Sequence, residues 1–327
     1  MEGAKMNSKF DGWPNVVESQ QFAAAWLDQE FFPLASEMVD VYKSGGNDLL
    51  RGMRMVSLFF EPSTRTRMSF ETAMHMLGGR VVFATENASQ FSSAVKGETL
   101  TDTIEVANEY YPHVIVLRHH DDDSAEQAVK ASVRASVINA GSGRKQHPTQ
   151  ALLDLFTIRQ KFPEIKGIKV AICGDLANGR TVRSLSYLLG KYEGVRIYFV
   201  APTRLAIKQD IKDYLVRHNV CFEEVDDIHA VAEKVNVIYQ TRTQKERGGS
   251  MEFGVNGHFR IDQSVLDLMR QDAIIMHPMP IDRHNLATTE IDPIVDNDPR
   301  AVYKRLQIGA GLATRMAILK MILAPEA

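Results

Sequence analysis

Eight short apolar runs constrain this chain most: Met55–Phe60, Arg80–Ala84, His113–Leu117, Ser136–Asn139, Lys169–Cys173, Arg196–Val200, Val235–Tyr239 and Ala273–Met276. Stretches with helical spacing separate them. That alternation predicts an α/β fold built on mainly parallel sheets. An amphipathic region, Phe22 to Tyr42, precedes the first run. The segment Ile158 to Lys166 carries charge and Pro163 just before a fresh strand, which divides the chain into two lobes of similar size. The expected limits are 1–150 for the first lobe and 151–304 for the second. Within 305–327, Ala310 to Leu323 is apolar at helical spacing and is expected to return to the first lobe as a C-terminal helix. A length of 327 residues suits about two cores.

The stretch FFEPSTRTRMSFE, Phe59 to Glu71, puts two arginines into the first turn of a predicted helix. Pro62 ends any sheet pairing, and Phe70, Ala73, Met74 and Leu77 then recur with helical spacing up to the stop at Gly78-Gly79. Ser63 is the natural N-cap. A helix start already carries about half a positive charge and points unpartnered amides outward. Arg65 and Arg67 are therefore ill placed unless an anion sits there, held by those amides, by the Ser63, Thr64 and Thr66 hydroxyls, and by guanidinium forks. Phosphate fits that description. The competing reading is that the arginines pair with acids such as Glu61 and Glu71, or fan into solvent.

A formal net charge of -3 argues against a general nucleic-acid binder, so any anion site is local. Only Cys173 and Cys221 are present, neither in a CxxC pair, and neither a zinc site nor a disulfide is indicated. No metal is expected, and the Asp121-Asp122-Asp123 run reads as a solvated loop or helix start. The opening residues lack an apolar signal core, and no stretch approaches the ~18 apolar residues of a membrane span. A reducing cytoplasm is the expected location, with no membrane or nucleic-acid partner.

Other chemistry-bearing residues follow strand-like runs. His147 precedes Pro148, which suits the first helical position. A histidine there is pushed toward its neutral form and can donate to a substrate carbonyl, or it is simply a cap. Arg118 ends one run and Arg242 follows another, while His277-Pro-Met-Pro280 ends a third in a stiff turn. Carboxyl ends of parallel strands aim at the crevice where α/β proteins bind ligands. Fixed cations in both lobes suggest two anionic substrates. The segment Gly174-xxxx-Gly179-Arg180-Thr181 nearly matches a P-loop, which makes an NTP-binding protein the rival reading. That motif needs lysine where Arg180 stands, because a broad guanidinium reaches poorly between phosphates.

Six segments, PSTRTR at 62–67, SSAVKGE at 92–98, HPTQ at 147–150, GRT at 179–181, TRTQKER at 241–247 and HPMP at 277–280, occur in one order along the chain. Together they resemble the aspartate carbamoyltransferase catalytic chain, over nearly the whole length. The resemblance implies transfer of the carbamoyl group of carbamoyl phosphate to L-aspartate in pyrimidine biosynthesis, without a cofactor. It implies that the first lobe binds carbamoyl phosphate through Ser63, Thr64, Arg65, Thr66, Arg118, His147 and Gln150, with Thr66, Arg118 and His147 polarising the carbamoyl oxygen. L-aspartate would be held in the second lobe by Arg180, Arg242, Gln244, Pro278 and Met279. Ser92, for carbamoyl phosphate, and Lys96, for catalysis and L-aspartate, would come from a neighbouring subunit of a homotrimer, and Glu61 would pair with Arg247 when the lobes close. Ornithine-specific relatives carry HCLP and commonly HPCQ, whereas this chain has Pro278 and Thr149. The resemblance leaves open an acceptor other than aspartate, regulatory chains and a dihydroorotase partner. Departures at Ile281-Asp282 and Ala177-Asn178 leave the reaction intact but put allosteric coupling in doubt.

Overall fold

The computed structural model describes residues 15–243, 258–284 and 289–324. It separates into two units, Met1–Phe156 with Gly309–Ala327, and Thr157–Ile308. Both exchanges fall inside helices, Pro148–Lys161 and Leu306–Leu323, where no loop composition marks them. They lie a few residues beyond the 150/151 and 304/305 limits expected from sequence.

The first unit holds four parallel strands, β1 (Arg54–Phe59), β2 (Arg80–Glu86), β3 (Val114–His119) and β4 (Ser136–Ser142), in the order β2-β1-β3-β4. The second holds β5 (Lys169–Cys173), β6 (Arg196–Val200), β7 (Cys221–Val225), β8 (Val237–Gln240) and β9 (Ile274–Met276), in the order β7-β6-β5-β8-β9 and again parallel. The central strands read as unbroken apolar runs because helices cover both faces. Val114 to Leu117 are buried throughout, and Ile115 and Leu117 join Val56, Leu58, Ile104 and Val137 in one core cluster. Each such side chain contributes about 1.5–3 kcal/mol when fully buried.

The sequence criterion passes over β7. This edge strand is exposed or half-buried and carries Glu223 and Glu224, so it presents no apolar run. A second difference concerns the C-terminal helix. Leu306–Leu323 is long and apolar enough, by length and composition, to cross a bilayer, although the sequence reading found no such stretch. Most of it is buried, with Ala313, Met316 and Leu319 fully so, as in the core helix of a soluble protein.

In both sheets the strand order reverses at one place. In the first unit it reverses between β1 and β3, and in the second between β5 and β8. At such a switch point consecutive crossovers leave to opposite sides, opening a crevice beyond the strand ends. Phe59 is paired with Arg118 at one, and Cys173 with Gln240 at the other.

Candidate active site

At the first switch point the chain leaves β1 through Phe60, whose amide donates to the Arg118 carbonyl at 2.8 Å. It turns at Pro62 into the Thr64–Met76 helix, which buries Thr66, Phe70, Ala73 and Met74. Ser63 occupies the N-cap position, but its hydroxyl makes no capping bond and donates to Thr66 Oγ1 at 3.0 Å. An acid that sequence reasoning missed answers the helix start. Glu86, at the end of β2, accepts from the Ser63 amide at 3.0 Å and the Thr64 hydroxyl at 3.3 Å. Its available signal was its place, an acid closing a parallel strand beside the one that feeds the helix.

The two arginines of the first turn separate. Arg67 is committed to Glu71 at 2.8 Å and Glu86 at 3.4 Å, so the pairing alternative holds for it and the expectation of one anion for both does not. Arg65 is exposed at the same turn. A phosphate at this turn would meet Arg65 and the positive end of the helix, and would compete with Glu86 for the Ser63 and Thr64 donors.

Arg118 stands at the end of β3, donating to the Ala140 carbonyl at 3.3 Å and paired with Glu61 at 3.4 Å. Glu61 therefore has a partner in its own unit, while Arg247 lies outside the described residues. β4 closes with Ser142, whose amide donates to the Gln146 carbonyl, and Gln146 is tied to Gln20 and to the Ser19 amide. These bonds hold His147 at the start of the Pro148–Lys161 helix, where its carbonyl accepts from the Gln150 and Ala151 amides. His147 and Gln150 are both buried. Arg65, Thr66, Arg118, His147 and Gln150 thus all leave the carboxyl edge of one parallel sheet. Ser92 and Lys96 belong to the surface turn Ser93–Lys96 beyond β2, with Ser92 capping it at the Ala94 amide and Lys96 exposed.

Beside Arg118, the His119 ring lies against Phe60 and His120. Its Nδ1 accepts from the Asp121 amide at 3.1 Å. Burial, helped by His120 and opposed by Asp121 and Glu61, lowers its pKa from 6.5 to about 4. The unfolded chain therefore binds the proton first, between pH 6.5 and 4. Stability from this group is complete above pH 6.5 and is lost as pH falls through that window, by about 3 kcal/mol at most. His119→Asn keeps an acceptor for the Asp121 amide and cannot titrate. Urea unfolding between pH 7.5 and 4 should show a smaller acid loss for the variant. Equal losses in both proteins would reject this assignment.

In the second unit, β5 runs into Gly174, which has φ +120° and no room for a side chain. A Cβ there would lie 2.3 Å from the Thr241 carbonyl oxygen. The buried Asp175 carboxylate accepts from the Asn178 amide at 3.2 Å and from its side chain at 3.0 Å. A P-loop offers such amides to phosphate, and a carboxylate already uses this one. Gly179 then caps the Arg180–Leu189 helix and places Arg180 at its first position, 3% exposed. Arg242 follows β8, half-buried, donating to the Thr243 carbonyl at 3.0 Å. Gln244 lies outside the described residues.

β9 leads into Pro278 and Met279, with Met279 at φ 58° and a cis bond to Pro280. The buried His277 accepts from the Met279 amide through Nδ1 at 2.8 Å, so Nε2 carries the proton and donates to Glu290 at 3.0 Å. Glu290 also accepts from the Asp282 amide, and Gln307 accepts from the His277 amide. Glu290 and Gln307 are 13 and 30 residues away from His277, too distant for any local pattern to announce them.

Two family descriptions match this chain. "Aspartate/ornithine carbamoyltransferase, carbamoyl-P binding domain" covers residues 15–160, and "Aspartate/ornithine carbamoyltransferase, Asp/Orn binding domain" covers 166–322. The chain belongs to the aspartate/ornithine carbamoyltransferase family. It is 49% identical over 313 residues to aspartate carbamoyltransferase 1, chloroplastic, of Pisum sativum, covering 94% of this chain and 78% of that one. It is 44% identical over 277 residues to the aspartate carbamoyltransferase catalytic subunit of Methanocaldococcus jannaschii, covering 84% and 86%. Among solved structures it resembles the aspartate transcarbamoylase of Trypanosoma cruzi in complex with N-(phosphonacetyl)-L-aspartic acid, with TM-score 0.86, 37% identity and coverage of 95% and 96%.

Proposed function

We propose that this chain transfers the carbamoyl group of carbamoyl phosphate to the amino group of L-aspartate, giving N-carbamoyl-L-aspartate and phosphate for pyrimidine biosynthesis. The observation that carries the choice of acceptor is the pair of fixed cations at the second switch point, buried Arg180 and half-buried Arg242. Two guanidinium groups suit the two carboxylates of aspartate and repel the cationic side chain of ornithine.

Ser63, Thr64, Arg65 and Thr66 hold the phosphate. Thr66, Arg118 and His147 donate to the carbamoyl oxygen and stabilise the charge that collects there as the amine attacks. The C–N bond forms, the C–O bond to phosphate breaks, and the departing phosphate takes the amine's proton. Pro278 and Met279 orient the amino group, with the Met279 amide fixed by His277. No covalent bond to the protein is made.

The working unit is a homotrimer whose sites borrow Ser92 and Lys96 from a neighbour. Around that turn Phe91 is 78% and Val95 61% exposed, and on edge strand β2 Val82 and Phe83 are exposed too. Apolar side chains exposed together are characteristic of a surface that another chain covers. The cytoplasm is its compartment, where Cys173, its thiol pushed up by burial, and exposed Cys221 both stay reduced.

A carbamoyl-acceptor assay with L-aspartate, L-ornithine and N-acetyl-L-ornithine tests this reading. Product should form with L-aspartate alone, and native mass of the same sample should give three chains. Comparable turnover of either ornithine compound would overturn the acceptor assignment. ATP hydrolysis without any amino acid would favour the P-loop reading.

A further inference from the structure

Gln150 is one turn into the Pro148–Lys161 helix, and four residues on, along the same face, stands Asp154. Gln150 Nε2 donates to Asp154 Oδ1 at 2.9 Å. Gln150 is 7% exposed and Asp154 is wholly buried. A carboxylate only accepts, so this bond decides which way the amide faces: nitrogen toward Asp154, carbonyl oxygen away from it.

A buried carboxylate needs a positive charge, and the C-terminal helix supplies one. Arg315 is 3% exposed, donates to the Gly311 carbonyl at 2.9 Å and lies 5.2 Å from the centre of the Phe70 ring, in the helix that starts at the phosphate turn. Gly311 makes room for it, since a Cβ there would lie 2.8 Å from Arg315 Nη1. Burial pushes the guanidinium down to about 10, with the Asp154 charge acting against that, so it stays cationic near neutrality.

We infer that Asp154, backed by Arg315, is a positioning residue that fixes the Gln150 amide with its carbonyl oxygen toward the ligand, where it accepts from the carbamoyl NH2 group. The inference rests on the reading of Gln150 as the partner of that group. It gives the returning helix a part in substrate selection, because acetyl phosphate carries a methyl where carbamoyl phosphate carries the amine. An amide held this way rewards the amine and gains nothing from the methyl. With asparagine at 154, which both donates and accepts, the amide turns over freely and the preference fades.

The test is calorimetric titration of carbamoyl phosphate and acetyl phosphate, without aspartate, into wild type, Asp154→Asn, Gln150→Ala and the double variant. Asp154→Asn should weaken carbamoyl phosphate about tenfold and leave acetyl phosphate within about twofold. In the Gln150→Ala background it should change neither ligand's affinity further. Equal weakening of both ligands, or a full further loss in the double variant, would mean that Asp154 only supports the fold and would overturn the inference. Should Asp154→Asn not fold, Arg315→Gln provides the second route, with the same selective loss expected and an unchanged preference overturning it. A wild-type protein that binds both ligands alike would instead overturn the role given to Gln150 itself.

Discussion

Arg65→Ala should lower turnover about 10²–10³-fold at saturating substrate, the loss typical when one preorganised donor to a developing charge is removed. The reason lies in where Arg65 sits. The first turn of the Thr64–Met76 helix already faces an anion with the positive end of its dipole, and the guanidinium adds a full charge and a two-pronged donor. Arg67 is the internal control. It is two residues on in the same turn but committed to Glu71 and Glu86. Arg67→Ala should cost stability and leave most of the turnover. Kinetics on both variants, with circular dichroism to confirm folding, separate a specific donor from a general loss of positive charge. More than a tenth of the wild-type rate in Arg65→Ala would reject the role.

That contrast shows what was legible in sequence. The apolar runs marked β1 to β6, β8 and β9 because buried parallel strands need continuous apolar surface on both faces, and their ends differ by at most three residues. Strand-end arginines drew notice because the carboxyl ends of parallel strands line the crevice where such folds bind ligands. What stayed hidden was pairing. For Arg67 the i,i+4 spacing to Glu71 was visible, but its second acid, Glu86, closes a different strand. The same holds for Glu290 under His277 and for Arg315, which lies 161 residues beyond Asp154. Partners that another element supplies leave no spacing behind them, unlike Asp154, which stands four residues from Gln150. The site's own residues do, because they share turns, caps and strand ends.

Mixing variants should restore activity that neither has alone, if the Ser92 and Lys96 turn serves a neighbouring chain. Lys96 is exposed on a short turn that also exposes Val95 and follows exposed Phe91. Lys96→Ala and Arg65→Ala should each be nearly inactive. In an exchanged trimer, a site works when its pocket comes from a Lys96→Ala chain and its borrowed turn from an Arg65→Ala chain. With equal mixing in a head-to-tail ring, about one site in four meets both conditions. Activity should therefore rise to about a quarter of wild type after exchange, followed by native mass of differently tagged chains. A second mixture fixes the sign independently. When wild type is exchanged with chains carrying both substitutions, shared sites leave about a quarter of the activity, whereas sites complete within one chain leave about half. No recovery in the first mixture and half activity in the second, with exchange demonstrated, would place the whole site in a single chain.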